Sequence, residues 1–144
     1  MCRLEAIVYV VLCVNPVPAH SQSNPPLDTK FNIVLSNSRE PAGILASFIT
    51  TASYPCEGYR LQTRLIQKSD TLTVYINGMI RPTPCIQSSS YAMQETFLGD
   101  IPGGEHYLQI VYRGQSDIYK LITGENWAAV ISIRSTFTDL RSDL

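Results

Sequence analysis

Two cysteines, Cys56 and Cys85, stand 29 positions apart, and each lies beside prolines in sequence typical of loops. A redox pair normally has its cysteines close together, as in Cys-x-x-Cys, and a structural zinc site needs four ligands. This pair meets neither requirement. We therefore predict a disulfide between them, which would stabilise a small domain by about 3–4 kcal/mol on the chain-entropy estimate.

A second candidate for chemistry is His106, the only histidine downstream of the N-terminal segment. No Gly-x-Ser-x-Gly motif accompanies it, and no acidic residue is recognisably placed to orient its ring. The acidic side chains are scattered singly over turn sequence and are predicted to be solvated: Asp70, Asp100, Glu105, Asp117, Glu125, Asp139 and Asp143. We predict no catalytic residue, no metal site and no cofactor, with a small hydrolase using His106 and carboxylates as the alternative.

Tyrosines are the one enrichment that indicates recognition. Alternation along the predicted strands places Tyr75 and Tyr107 on the outer face, beside Arg60, Arg64 and Arg113. Amphipathic rings next to arginine are typical of surfaces that contact proteins or sugars. We predict a binding surface there, with the alternative that tyrosines merely suit half-buried strands.

Length and charge exclude several classes of protein. A chain of 144 residues predicts one domain, and 44% apolar residues with 16% charged residues predict a packed core. Eleven basic and twelve acidic residues give a net charge of −1, without a basic run. This balance argues against a nucleic-acid groove or a polybasic membrane patch.

The N-terminal residues 1–21 have the outline of a secretory signal peptide. One cation, Arg3, precedes an apolar run over residues 6–14, and small residues follow at the favoured cleavage points after Ala19 or Ser21. The apolar run is far shorter than the about 20 residues that a bilayer requires. We therefore expect no transmembrane anchor and a secreted or periplasmic protein, with residues 22–30 as a flexible lead-in.

Two alternatives for this N-terminal segment stay open. One is a buried first strand. The other is a lipoprotein signal, because Cys13 follows an apolar triplet. Acylation of Cys13 would make the protein a lipid-tethered envelope protein.

Downstream, short stretches rich in Val, Ile, Thr and Tyr alternate with turn residues, which predicts an all-β domain over residues 31–134. Asn77-Gly78 predicts a type I′ hairpin turn, and the apolar segment 127–134 predicts a central strand or one buried on both faces. Residues 135–144 are expected to be a loose or short helical tail that docks through Phe137 and Leu140. Strands are predicted over residues 31–35, 44–51, 59–67, 71–76, 91–98, 106–113, 118–123 and 127–134. This number of short strands suits a two-sheet sandwich, with a small barrel as the alternative.

The run LGDIPGGEHYLQI resembles a segment of bacterial secreted immunoglobulin-like and fibronectin-type β-sandwich modules. The positions that carry the resemblance are Leu98, Ile101, Pro102, Gly104, His106, Leu108 and Ile110. It implies an antiparallel two-sheet sandwich of about seven or eight strands. It also implies a corner position for His106, whose ring would face the core and bond to nearby backbone. Antibody-type domains differ, because they carry a Cys where this chain has Leu108.

These observations together predict a non-catalytic secreted or periplasmic module. It would bind a protein or glycan partner, or serve a structural role in the envelope. We also expect that an exposed edge strand can pair with a second copy or with an extended peptide.

Overall fold

The computed structural model describes residues 26–27, 30–125 and 127–144. Within these residues the chain is built of β-strands and contains no helix, so the predicted all-β class is confirmed. The strands are β1 (Phe31–Arg39), β2 (Ala42–Cys56), β3 (Arg60–Lys68), β4 (Thr71–Ile80), β5 (Gln87–Gly99), β6 (Gly104–Tyr112), β7 (Gln115–Thr123), β8 (Ala128–Arg134) and β9 (Thr138–Asp143). The predicted signal peptide, Cys13 and most of the lead-in lie outside the described residues.

The nine described strands form one hydrogen-bonded order, β8-β7-β6-β4-β3-β5-β2-β1-β9. The sheet is mixed, because β4 and β6, β1 and β9, and β3 and β5 pair in parallel. The ends of the order, β8 and β9, make slight contact, so the sheet curls into a nearly closed, barrel-like form. The expected antiparallel two-sheet immunoglobulin-like sandwich is not clearly formed. Alternation along a strand reveals its buried face but not its neighbours, and the parallel pairings join strands distant in sequence.

Alternating side chains fill the interior of this curled sheet. In β4, Leu72, Val74 and Ile76 are buried, whereas the residues between them face outward, as the sequence predicted. The same alternation runs through β1, β6 and β7. The large side chains that are almost completely buried are Phe31, Ile33, Leu35, Phe48, Tyr59, Leu61, Leu72, Val74, Leu98, Leu108, Ile110 and Leu121.

The predicted hairpin at Asn77-Gly78 is wrong, because β4 runs through this dipeptide without turning. Gly78 pairs with Gln62 and Ile76 pairs with Thr63, so Asn77 is an extra residue in the ladder. Such a β-bulge bends a strand and re-aims its side chains. Neither Asn77 nor Gly78 adopts the positive φ that a type I′ turn requires.

The expected loose or helical tail is also wrong, because residues 138–143 form β9, which pairs in parallel with β1. Phe137 is buried and Leu140 packs against the core. The backbone N–H of Phe31 donates to the carbonyl of Phe137 over 2.9 Å. The alternation that would reveal a strand is weak in this short, polar segment, so pairing with β1 decides its conformation.

The side chain of Asp117 fixes the backbone of the segment that connects β8 to β9. Its carboxylate accepts hydrogen bonds from the N–H groups of Thr136, Phe137 and Thr138 over 2.7, 2.9 and 2.8 Å, and from the Thr138 hydroxyl over 2.6 Å. Burial raises the pKa of Asp117, but the four hydrogen bonds outweigh it and lower that pKa below its usual value. The prediction that Asp117 is a solvated turn residue is therefore wrong. Tyr119 joins this network by bonding to the hydroxyl and the carbonyl of Thr138.

The predicted disulfide between Cys56 and Cys85 is confirmed, with 5.3 Å between the two Cα atoms. It ties the end of β2 to the segment between β4 and β5. Cys56 is fully buried beside the rings of Tyr54 and Tyr59, whose centroids lie 5.3 Å apart. The bond therefore fixes the loop that leads into β5 on one side of the sheet.

Segment 127–134 forms β8, which is an edge strand and not the predicted central strand. Among the described strands it pairs with β7 alone. Trp127, Ile131 and Ile133 are 58%, 49% and 55% exposed. A continuous apolar run suggests burial on two faces, but here one face packs on the core and the other faces solvent.

Candidate protein-binding surface

The structure brings together some of the side chains that were predicted to bind a partner and separates others. Arg64 and Tyr75 are paired across β3 and β4, and the guanidinium lies 5.4 Å from the centre of the ring. Arg60 lies on the same outer face of β3, four residues away. Tyr107 lies on β6 beside Thr71 and Lys120, and Arg113 lies in the β6–β7 turn. The five residues therefore do not form one compact site.

The tyrosine rings that were predicted to be exposed to solvent are only partly exposed. Tyr75 and Tyr107 are half-buried, and Tyr75 is covered by the arginine stacked on it. Arg113 stacks on Tyr112 at 5.1 Å, on a ring that faces the core. Tyr91 is 56% exposed and is therefore the better anchor for a partner.

A partly exposed and mainly apolar row of side chains lies where β4, β3, β5 and β2 adjoin. The strand registers place Ile80, Arg60, Met93 and Ile49 in one row across the sheet, because each pairs with the next. Ile80 and Met93 are 42% and 49% exposed, and Tyr91 lies two residues from Met93 on the same face. We call these five residues the Met93 surface.

The Met93 surface borders a hollow between β3 and β5. These two strands pair at a single position, Arg60 with Met93, and then diverge. The Thr63 and Thr96 hydroxyls lie 2.9 Å apart and close the gap on its inner side. The hollow has a volume of about 510 Å³ and is lined by Leu61, Gln62, Thr63, Arg64, Asn77, Ile80 and Gln94.

The position of Arg60 gives this surface its charge character. Its side chain is exposed and makes no ion pair with any residue that the structure describes. Arg64 adds a second guanidinium at the wall of the hollow. Three side-chain amides, from Gln62, Asn77 and Gln94, provide both donors and acceptors. The arrangement suits an apolar group on the row, with a carboxylate or a backbone carbonyl beside it.

His106 has a different environment. One ring nitrogen, Nε2, lies 2.8 Å from the carbonyl oxygen of Pro102. Glu105 bonds to Lys120 over 2.7 Å, and this bond raises the pKa of the lysine. In the described part of the chain, no carboxylate pairs with His106.

A second cleft, of about 380 Å³, lies near the start of β8. It contains Asp100, Glu125 and Trp127. Within residues 26–27, 30–125 and 127–144, no three metal-ligating side chains cluster together. The same residues include no helix that would cross a membrane.

Sequence reasoning missed the Met93 surface because its members belong to four strands. One local signal was present, since Tyr91, Met93 and Phe97 recur at alternate positions of β5 and must share a face. That face could not be assigned to solvent, because the other face carries Ala92 and Leu98. Compared with protein-family models, curated proteins and solved structures, the chain shows no match to any of them.

Proposed function

We propose that this protein is an exported, disulfide-bonded module that binds a protein partner through the Met93 surface and carries out no catalysis. The observation that supports this most directly is the row in which Ile80 and Met93 are exposed and Arg60 makes no ion pair with any residue that the structure describes. Exposed apolar groups that form a continuous patch mark interaction sites on soluble proteins. Methionine, tyrosine and arginine are enriched in protein interfaces.

The chemistry of the patch favours a protein partner over a glycan. Sugars are held by flat aromatic platforms with polar groups around them, and this surface has one exposed ring, Tyr91. Ile80, Met93 and Ile49 are aliphatic and match the apolar side chains of a protein. Arg60 would then pair with a carboxylate of that partner.

Export is proposed from two features taken together. Disulfides persist in oxidising compartments, and the Cys56–Cys85 bond joins two parts of one small domain. Residues 1–21 have the sequence pattern of a signal peptide. The intact mass of the natively expressed protein, measured in soluble and membrane fractions, distinguishes a chain that begins near residue 20 or 22 from one acylated at Cys13. An uncleaved chain with reactive thiols would refute export.

Two matched substitutions test the binding surface. Ile80 and Ile66 lie on neighbouring strands and are 42% and 38% exposed, but only Ile80 belongs to the Met93 surface. Ile80→Lys places a charge on the row, whereas Ile66→Lys adds the same charge elsewhere. A phage-displayed random peptide library is selected on the wild-type protein, and the affinity of enriched peptides is then titrated on each variant.

We expect Ile80→Lys to weaken binding at least about tenfold, which corresponds to about 1.4 kcal/mol. Ile66→Lys should leave the affinity within about twofold, because isolated substitutions outside an interface contribute little. Equal loss in both variants would refute the Met93 surface as the binding site. Failure to enrich any peptide, together with binding on a glycan array that Tyr91→Ala abolishes, would refute a protein ligand.

A further inference from the structure

We infer that two copies of this chain associate through β8, antiparallel about a twofold axis at Val130, to form one continuous sheet. This inference is independent of the Met93 surface, which belongs to other strands. It begins from the difference between the two edges of the sheet. An edge strand presents unpaired backbone groups, and natural proteins guard such edges with charge or proline.

The β9 edge carries charged side chains that disfavour pairing with another strand, and the β8 edge lacks such protection. The exposed side chains of β9 include Asp139, Arg141 and Asp143, and two of them lie 3.8 Å apart as an ion pair. From residue 127 to residue 133, the sequence of the β8 segment is WAAVISI, without a charge or a proline. The chain therefore guards one edge with charge, whereas the β8 edge, which β9 contacts only slightly, has no strand paired to it among the described residues.

Backbone direction identifies the groups that β8 offers to a partner. Gly124 donates its N–H to the carbonyl of Trp127 over 2.8 Å, so the backbone groups of Trp127 point toward β7. Groups alternate along a strand. The N–H and C=O groups of Ala128, Val130 and Ser132 consequently point to the open edge.

A second copy of β8 satisfies these groups. Antiparallel pairing centred on Val130 sets each Val130 opposite its own copy, and Ala128 opposite Ser132 of the other chain. These three positions are hydrogen-bonded pairs with two bonds each, which gives about six backbone hydrogen bonds across the interface. The side chains of these positions are of small or moderate size, and they face the inside of the sheet.

The outer face is complementary in size under the same pairing. Ala129 of one copy lies opposite Ile131 of the other, so a small side chain meets a large one. Trp127 and Ile133 flank these positions, and both are more than half exposed in a single chain. Pairing therefore covers the exposed apolar side chains of β8 with one another.

The one charged residue of β8 does not obstruct this pairing. Arg134, at the end of the strand, bonds to the carbonyl and hydroxyl of Ser116 on β7, over 2.8 and 2.6 Å. These bonds hold the cation on the β7 side of the strand and away from the open edge.

Trp127 is the only tryptophan in the chain, so it reports on this interface directly. The full-length protein is examined by sedimentation over a range of concentrations, and its tryptophan emission is recorded in parallel. We expect a mass of two chains at high concentration, and a blue shift of the emission that follows the same concentration dependence. A single-chain mass at every soluble concentration would overturn the inference.

Two pairs of variants locate the interface. Ile131→Lys should raise the dimer dissociation constant at least about tenfold, whereas Ile86→Lys, at a 62% exposed position far from β8, should leave it unchanged. Val130→Cys should form a disulfide between chains under mild oxidation, because a residue on the axis meets its own copy. Ser132→Cys should not, because its two copies are separated by about 13 Å along the strands.

Each result bears on the inference separately from the proposed function. A dimer that persists in Ile131→Lys, or one in which Ser132→Cys forms the disulfide between chains and Val130→Cys does not, would overturn this pairing. A dimer lost in Ile80→Lys instead would place the contact on the Met93 surface. Circular dichroism of every variant confirms that the fold is retained, and the cysteine variants are compared with wild-type protein under the same oxidation.

Discussion

Replacement of Asp117 by asparagine tests whether one buried carboxylate holds the C-terminal strand in place. Asparagine has one acceptor oxygen, whereas the carboxylate uses both, one for the N–H of Thr136 and the other for the remaining three donors. With its oxygen toward Phe137 and Thr138, the amide nitrogen of asparagine would face the N–H of Thr136. One donor then loses its partner, and three bonds lose their ionic character.

The magnitude follows from those losses. A buried donor without a partner costs about 1–3 kcal/mol, and a bond to a charged group exceeds a neutral one by about 1 kcal/mol. Because the bonds share one side chain and are not additive, we expect Asp117→Asn to lower the free energy of unfolding by about 3 kcal/mol. At an m value of about 1.5 kcal/mol/M, the urea midpoint falls by about 2 M.

The pH dependence of stability shows whether Asp117 acts as a charged hydrogen-bond acceptor or only through packing. The pKa of Asp117 is lowered in the folded protein, because hydrogen bonds to the carboxylate outweigh the cost of burial. Because the pKa of Asp117 is lower in the folded protein than in the unfolded chain, its ionisation stabilises the fold fully at pH values above the unfolded pKa, near 3.8. This stabilisation is lost as the pH falls through the folded pKa. The difference in stability between wild type and Asp117→Asn should therefore be constant near neutral pH and shrink below about pH 4.

Asp139→Asn is the matched control. Asp139 is exposed on β9 and lies 3.8 Å from Arg141, so its loss should change stability by less than about 0.5 kcal/mol. Urea unfolding of both variants from neutral to acidic pH is the assay. A loss below about 1 kcal/mol in Asp117→Asn, or a difference that stays constant down to pH 2, would refute the reasoning.

Two further predictions concern the covalent bond and one close backbone approach. Replacing Cys56 and Cys85 together by alanine should lower the free energy of unfolding by about 3–4 kcal/mol, and a urea midpoint that is unaffected by the replacement would contradict this. Gly43→Ala should cost about 2–3 kcal/mol, because Gly43 has a φ of 151° and a Cβ there would overlap the backbone of Gly99. Gly103→Ala is its control, since the nearest atom to that Cβ is 3.7 Å away, and equal losses in thermal melts would count against the steric explanation.

Local patterns predicted the elements that depend on local physics. The alternation around Val74 and Leu108 assigned buried faces correctly, because a strand with one face in the core must alternate. The cysteine pair was predicted from composition and spacing. In the first case the pattern lies within a few neighbouring residues. In the second it depends on cysteine, a residue type with few structural roles.

Features that depend on distant partners were not predictable in this way. Asp117 resembles any acid next to a turn until the 136–138 backbone is placed against it. Asn77-Gly78 was assigned to a turn, and only the pairing of β3 with β4 on both sides of the dipeptide shows that the strand continues through it. The Met93 surface joins four strands, so no single window of sequence contains it.

The parallel pairing of β9 with β1 has a consequence for folding during synthesis. The first strand of the sheet gains its second neighbour only after residues 138–143 have been synthesised. Until then, β1 is an edge strand that pairs with β2 alone, and many contacts of the sheet join residues far apart in sequence. Proteins with such topology fold slowly. The sheet therefore completes its strand order only when residues 138–143 are available to pair with β1.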